Sequence, residues 1–380
     1  MDNSFTDTIK GILHKHFGEN STQIFDQSPL LQYIAIKTRS AQKGSKSRGS
    51  FANLYAIYVL VEDYLAQGYD AHGDYSSYEG AQFNRLFTRQ RELPFGSKLQ
   101  NHALNHRLNE EFKKFFPAIQ YVPILRNTET NRYWLNDNLI KVELAGELVN
   151  LAKVVIEIID AYVQVKRESF EQFIGDFQKL SELTAENAGD EIKEKLFALL
   201  EPNVDARIFE IVSFAILKTH YKDVVVYFGY DPDHIESDKL HLYKTGRTNA
   251  NDGGIDFVMK PLGRFFQVTE TLDVKKYFLD IDKIERYPIT FVVKSEVSSD
   301  DITTQLRANA TKSFPVKQIV DKYMASIEEI INIPQLKQFT DEIFSKGQIA
   351  SVLEEVIVQS KVEFNYQEDA EVIEELVEAE

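Results

Sequence analysis

The sequence predicts a mixed α/β fold in three parts, on three observations. Apolar residues recur at helical spacing from residue 1 to about 200, short β-rich runs begin at Val224, and helical spacing returns after about Asp300. The expected parts are a mainly helical region at 1–200, an α/β domain at 201–300 and a C-terminal helical region at 301–380 ending in an acidic tail. With 380 residues, 43% of them hydrophobic and 12% aromatic, the chain has material for two or three packed domains.

Composition removes several kinds of chemistry. Lys and Arg total 43 against 59 Asp and Glu, a formal charge of −16, so attraction to a polyanion has to come from local basic patches. There is no cysteine, hence no disulfide, no thiolate nucleophile and no Cys-ligated metal. The opening residues, MDNSFTDTIKGILHKHF, lack the layout of a secretory signal, and no apolar run approaches the length of a membrane span. The expectation is a cytoplasmic protein with no membrane partner. No P-loop, GxSxG elbow or HExxH helix is present, which sets aside motors, serine hydrolases and zinc proteases.

The N-terminal region carries two basic features. KTRSAQKGSKSR at 37–48 holds five basic residues and no acid, among them Lys43, Lys46 and Arg48. It reads either as a phosphate-contacting loop or as a solvated one. Residues 81–91 predict a helix, and SKLQNHALNHRLNEEFKKFF at 97–116 predicts a second, with Ser97 and Gln100 as a capping box. Leu104, Leu108, Phe112 and Phe115 form its buried stripe. Lys98, His102, Asn105, His106, Asn109 and Lys113 fall on the opposite side, a face whose amides pair with adenine edges and whose lysines reach phosphate or guanine. The runs IQYVPILR and NRYWLND then alternate like a hairpin, with Arg126 and Arg132 flanking its NTETN turn. Helix, helix, hairpin is a winged-helix-like layout, expected over about 81–142. Its basic excess favours duplex DNA as a partner, since residues 82–141 hold ten Lys and Arg against five Asp and Glu.

Beyond the boundary expected at 185–191 or 201–205, RIFEIVSFAILKT at 207–219 predicts a helix that is apolar nearly all round. Glu210 sits inside that apolar run, where a carboxylate needs a cation, a metal or a hydrogen-bond donor. GRTNANDGGIDFVMKPLGRFFQVTET then reads as a polar loop followed by a β-hairpin. A turn centred on Leu262 and Gly263 sets Asp256 opposite Thr269 and Val258 opposite Gln267. By period-two alternation, Asp256, Gln267 and Thr269 share one face, while Glu270 takes the other unless a bulge intervenes. Singly, such residues serve as caps or strand hydrogen-bonders; together they make an oxygen-rich corner suited to Mg²⁺, which binds one or two carboxylates with water and phosphate completing its shell.

FEIVSFAIL, GRTNANDGGIDF and FFQV, in that order, resemble the core of Mrr-like enzymes in the PD-(D/E)XK nuclease superfamily. The resemblance covers residues 207–270, extending loosely to the strand at 289–294. It implies an α/β core with helices flanking a mixed sheet, and active-site positions at Glu210, Asp256 and Gln267, with Asp256 and Gln267 at the metal and Glu210 supporting its shell. Where that family has Lys two residues after Gln, this chain has Thr269 followed by Glu270. Lys260 has the parity of Asp256 but lies roughly 13 Å further along the strand; Lys275, Lys276 and Lys294 are the other candidates to replace the missing cation. Some members of the superfamily are similar in replacing this Lys.

The resulting expectation is a sequence-specific, Mg²⁺-dependent endonuclease for double-stranded DNA, resembling type II restriction enzymes. A homodimer follows from two-fold cleavage of a symmetric site, with the helices after residue 300, PVKQIVDKYMASIEEIINI among them, as its interface. A companion methyltransferase follows from the resemblance alone. The rivals are a DNA-binding protein that keeps a nuclease fold without activity, and a nuclease directed at modified DNA or RNA.

Overall fold

Amphipathic helices build most of the N-terminal half, each set by the spacing of its apolar residues. Helix α1 (Phe5–Phe17) buries Phe5, Ile9 and Leu13 at successive turns. After α2 (Ser21–Gln27), the Ser28 hydroxyl accepts from the Leu31 N–H at 3.2 Å and opens α3 (Pro29–Thr38). The computed structural model describes residues 5–39, 47–71, 74–97, 99–182, 185–245 and 255–364. Lys43, Lys46, Lys98, the side chain of Arg48, the loop at 246–254 and the acidic tail beyond 364 lie outside the described residues.

Helix α4 (Ser47–Ala66) carries Tyr55 and Tyr64 into the core and leads to β1 (Ala81–Gln82) and α5 (Phe83–Glu92). The expected capping box at Ser97 does not start a helix. Phe95 adopts a φ of 61°, and a Cβ on Gly96 would lie 2.3 Å from the Gln90 carbonyl oxygen, so the chain turns sharply there. Helix resumes as a π-helical turn at Ala103–Arg107 that continues into α6 (Leu108–Phe115). The buried stripe runs from Leu104 through Leu108 to Phe112, whereas Phe115 is exposed.

The alternating stretch after α6 forms two hairpins. Strands β2 (Ile124–Asn127) and β3 (Arg132–Leu135) pair antiparallel, and β1 adds to β3, giving the order β1-β3-β2. Helix α7 (Asp137–Ile140) separates them from β4 (Lys141–Leu144) and β5 (Glu147–Asn150), and α8 (Ala152–Glu182) follows.

The chain divides at Phe173 and Ile174, within α8, and again before Lys361. The unit from Ile174 to Ser360 begins with α9 (Ala185–Ala198) and α10 (Ala206–Tyr221). Asp205 caps α10, its carboxylate accepting from the Arg207 N–H at 2.8 Å. Strands β6 (Val225–Gly229) and β7 (Ile235–Lys239) make a separate two-stranded ribbon. The main sheet follows: β8 (His241–Lys244), β9 (Phe257–Lys260), β10 (Arg264–Thr269), then α11 (Val274–Lys283), β11 (Ile289–Val293), α12 (Ser299–Ser313), α13 (Lys317–Ala325) and β12 (Ile327–Ile331). Helices α14 (Ile333–Ser345) and α15 (Ile349–Phe364) close the chain's described part.

The sheet order is β12-β11-β10-β9-β8. It is mixed because β8, β9 and β10 pair antiparallel, while α11 and then α12 with α13 carry the chain back for parallel pairing of β10, β11 and β12. Phe257 meets Phe214 of α10 at 5.1 Å between ring centroids on one face. On the other, Phe265, Ile289 and Phe291 pack with Tyr277, Phe278, Ile302 and Leu306. Strand β11, paired parallel on both edges, is buried along its whole length, as a parallel strand covered on both sides must be.

Two expectations change here. No break falls near residue 300, because β12 extends the same sheet as β11. The run PVKQIVDKYMASIEEIINI is helix only as far as Ala325, and its IEEII segment is strand. Val320, Met324 and Ile330 bury their side chains in this unit's own core, while Val316 and Ile319 of the same run are exposed. The molecule is mixed α/β, and no helix among the described residues is long and apolar enough to cross a membrane.

His220, in the last turn of α10, stacks on Phe339 of α14 at 4.0 Å, 3.5 Å from the Glu342 carboxylate. Burial lowers its pKa below the ordinary 6.5, helped by Lys346 and opposed by Glu342 and Glu329. The unfolded chain therefore takes up a proton here before the folded one does, and stability falls as pH drops from above 6.5 towards the folded value. Thermal melts at pH 7.5 and 5.5 should show a smaller acid-side loss for His220→Phe than for the unaltered protein; equal losses would assign the acid sensitivity elsewhere.

Candidate active site

The β9–β10 hairpin positions the two central side chains. Its register pairs Phe257 with Phe266, Val258 with Phe265 and Met259 with Arg264. Asp256 thus lies beside Gln267, not Thr269, because the connection is Pro261, Leu262 and Gly263, with Gly263 at a φ of 67°. The displacement is an even number of residues, so the face shared by Asp256, Gln267 and Thr269 is unchanged.

At that end of the sheet the backbone of Asp256 is held from both sides. Its N–H donates to the Phe266 carbonyl at 3.1 Å, and its carbonyl accepts from the Thr245 N–H at 3.0 Å. The carboxylate then does what a further rung of the ladder would do: Oδ2 accepts from the Val268 N–H at 2.7 Å and from Gln267 Nε2 at 2.7 Å. Gln267 is 8% exposed. With its Nε2 donating to Asp256, its Oε1 is buried without a hydrogen-bond partner, an acceptor that costs free energy until something fills it. Thr269 is also buried, and its Oγ1 accepts from Lys276 Nζ and from the Thr271 N–H, each at 3.4 Å.

Glu210 has the compensating cation that its apolar helix requires. Lys244 Nζ lies 3.2 Å from Glu210 Oε1, and both side chains are nearly buried. Lys244 pairs in register with Phe257, so it belongs to the α10 face of the sheet, opposite the face of Asp256 and Gln267. Glu270 is on the α10 face too, as parity required, and Lys294 Nζ meets it at 2.6 Å. Only 1% of the Lys294 side chain is exposed, and its ammonium also donates to the Val204 carbonyl. Asp256 and Gln267 are therefore brought together, while Glu210 and Glu270 approach the same sheet from the other side with lysine partners. Lys244 was legible only as the last residue of an alternating run, with nothing to mark it as the partner of a residue 34 positions earlier.

The expected DNA face is only partly a surface. Asn109 is committed to β2: its Nδ2 donates to the Ile124 carbonyl at 2.8 Å and its Oδ1 accepts from the Ile124 N–H at 3.0 Å. Asn105 Oδ1 accepts from the Tyr133 hydroxyl at 3.0 Å, while its carbonyl accepts from the Arg126 guanidinium. Arg132 donates to the Gly80 carbonyl at 2.7 Å. These groups tie helix and hairpin together, since backbone at the β1 and β2 edges needs partners. His102, His106 and Lys113 remain exposed, with the two imidazole rings 5.8 Å apart.

No known family, curated protein or solved structure matches this chain. Among the described residues, no group of three or more His, Asp or Glu is placed to hold a metal ion. What the hairpin offers is one carboxylate and one amide oxygen on a common sheet face, a donor set that leaves most of a cation's shell to water and substrate.

The division of the predicted face into structural and exposed groups is open to measurement. Asn109→Ala should cost about 1–3 kcal/mol in denaturant unfolding, because it leaves the Ile124 amide and carbonyl unpaired. Lys113→Ala should change stability by less than about 0.5 kcal/mol. Equal, small effects would mean that the Asn109 contact contributes nothing.

Proposed function

We propose that this chain is a Mg²⁺-dependent endonuclease of double-stranded DNA, built on a PD-(D/E)XK-like core and resembling type II restriction enzymes. One observation carries the reading: Asp256 and Gln267, distant in kind and adjacent in space, form an oxygen-bearing corner in which Gln267 Oε1 is buried and unpaired. The surrounding order supports it. A helix bearing a buried Glu precedes an antiparallel hairpin, and a crossover helix returns the chain to a parallel strand beside Gln267.

The donor set fits a hard divalent cation. Asp256 and Gln267 Oε1 are the groups that would hold it, and Asp256 keeps the Gln267 amide oriented by accepting from its nitrogen. When bound, Mg²⁺ supplies a positive centre that favours hydroxide over water and offsets charge on the leaving oxygen. Water attacks phosphorus, the P–O bond to the departing deoxyribose oxygen breaks, and a phosphate and a hydroxyl end result. Glu210, paired with Lys244, serves this reading by fixing α10 against β8 and not as a direct ligand.

Recognition of DNA belongs in this reading to the N-terminal unit. The order α4, β1, α5, α6, β2, β3, with β1 added to β3, supports a winged-helix reading, in which α6 is the element to enter a major groove. His102, His106 and Lys113 are the exposed groups of that helix available to bases and phosphates. Symmetric cleavage implies a homodimer and a cytoplasmic setting with a protecting methyltransferase. The rival of an inactive DNA-binding protein draws on one fact, that Thr269 and not a lysine follows Gln267 on its strand face.

Incubation of plasmid DNA with the protein and Mg²⁺ should yield discrete fragments, and Asp256→Ala should slow cutting about 100-fold or more, equivalent to about 2.7 kcal/mol of barrier. Binding without cutting in either protein would favour the inactive rival; cutting confined to methylated plasmid, or RNA cleavage, would redirect the substrate. Lys113→Ala should weaken duplex binding and lower its log–log salt slope by about 1 if that ammonium meets a phosphate. An unchanged slope would remove α6 from the interface.

A further inference from the structure

Hydrolysis of a phosphodiester gathers negative charge on the phosphoryl oxygens, and fixed positive groups near that charge are worth more than mobile ones. The face of Asp256, Gln267 and Thr269 supplies one carboxylate, one neutral amide and one hydroxyl, and the one cation of strand β10, Arg264, has the opposite parity and pairs with Glu329. Five lysines lie close enough in sequence to be considered, and the structure separates them. Lys244 and Lys294 are on the α10 face, facing Glu210 at 3.2 Å and Glu270 at 2.6 Å. Lys260 sits at the turn end of the hairpin with its ammonium over the Tyr243 ring at 5.3 Å. Lys275 is at the start of α11, exposed, its backbone N–H donating to the Asp273 cap at 3.0 Å.

Lys276 is different. Its Nζ donates to Thr269 Oγ1 at 3.4 Å, and Thr269 is two residues from Gln267 on the same strand face. The backbone that carries Lys276 is well anchored. Its N–H donates to the Asp273 carbonyl at 3.0 Å, and its neighbours Val274 and Tyr277 are buried in the core beneath the sheet. Meanwhile the residue itself is exposed, and an ammonium has three donors, of which Thr269 takes one. The arrangement is an anchored backbone with an ammonium held on Thr269, two residues from Gln267 along the strand.

We propose that Lys276 delivers from helix α11 the cation that the Gln267 and Thr269 face of strand β10 lacks, with Thr269 as the positioning residue that receives its ammonium. The inference rests on the nuclease reading and deepens it, because it names the group that faces the phosphate beside Asp256. A threonine suits this place: its hydroxyl accepts from Lys276, whereas a lysine at the same position would repel it.

The test uses the full chain and four variants: Lys276→Ala, Lys276→Arg, the double variant Thr269→Lys with Lys276→Ala, and Asp256→Ala as the control. Cleavage is followed with Mg²⁺, and duplex affinity is measured separately with Ca²⁺ in its place. Lys276→Ala should cut about 100-fold more slowly with duplex affinity changed less than threefold, and Lys276→Arg should keep more activity than Lys276→Ala. The double variant should recover at least tenfold over Lys276→Ala, because the charge returns to the same place from the strand. Cutting by Lys276→Ala at the unaltered rate, while Asp256→Ala is slow, overturns this inference and leaves the nuclease reading standing. A slow Lys276→Ala that the double variant does not rescue overturns the claim that the two positions serve one place. Absence of cutting by the unaltered protein overturns both readings.

Discussion

The carboxylate of Asp256 ends the β9–β10 ladder, and much of the site depends on that one acceptor. The last backbone bond between the two strands at this end runs from the Asp256 N–H to the Phe266 carbonyl, and the Val268 N–H donates to the Asp256 side chain. Oδ2 takes that proton and the Gln267 amide proton together, so a single oxygen satisfies the backbone and orients a side chain. Gln267 Oε1 is left buried and unpaired as a consequence. A side chain that served the ladder alone would not need its neighbour's acceptor to be exposed to this cost. That is the physical reason to look for a ligand at this corner.

Charge is distributed around the sheet in a way that isolates this corner. On the α10 face, Glu210 and Lys244 form a nearly buried pair in which each charge compensates the other where water is scarce, while the buried Lys294 ammonium meets the exposed Glu270. Neither pair leaves its carboxylate as the sole charge of a pocket. On the opposite face Asp256 accepts from the Gln267 amide and the Val268 N–H, and Lys276, from a different element, donates to Thr269. Resemblance by sequence order assigns Glu210 and Asp256 to a common centre; the pairing register assigns them to opposite faces of the sheet.

Side-chain alternation and apolar spacing were readable from the sequence because each depends on neighbours within a few residues. Hence the face shared by Asp256, Gln267 and Thr269 was legible, although the turn chemistry of Pro261 and Gly263 moved the partner of Asp256 from Thr269 to Gln267. The need of Glu210 for a partner was legible too, but not its identity, because Lys244 arrives through sheet register. Long-range pairing also explains β12: its IEEII segment has enough isoleucine for either element, and adjacency to β11 decides. Asn109 shows the same limit on a surface. As a residue type at helical spacing it belongs to a polar face, yet both its amide groups are spent on the backbone of Ile124.

The central claim is that Asp256 and Gln267 together present oxygen to a divalent cation. Crystals grown with Mn²⁺, measured near its absorption edge, address it without reference to cleavage. Anomalous density should appear within coordination distance of Asp256 and of Gln267 Oε1, and vanish in Asp256→Ala. An Asp256 carboxylate still bonded to Gln267 and Val268, with no anomalous density beside it at saturating Mn²⁺, would contradict the account and make this aspartate a cap of the β-ladder alone.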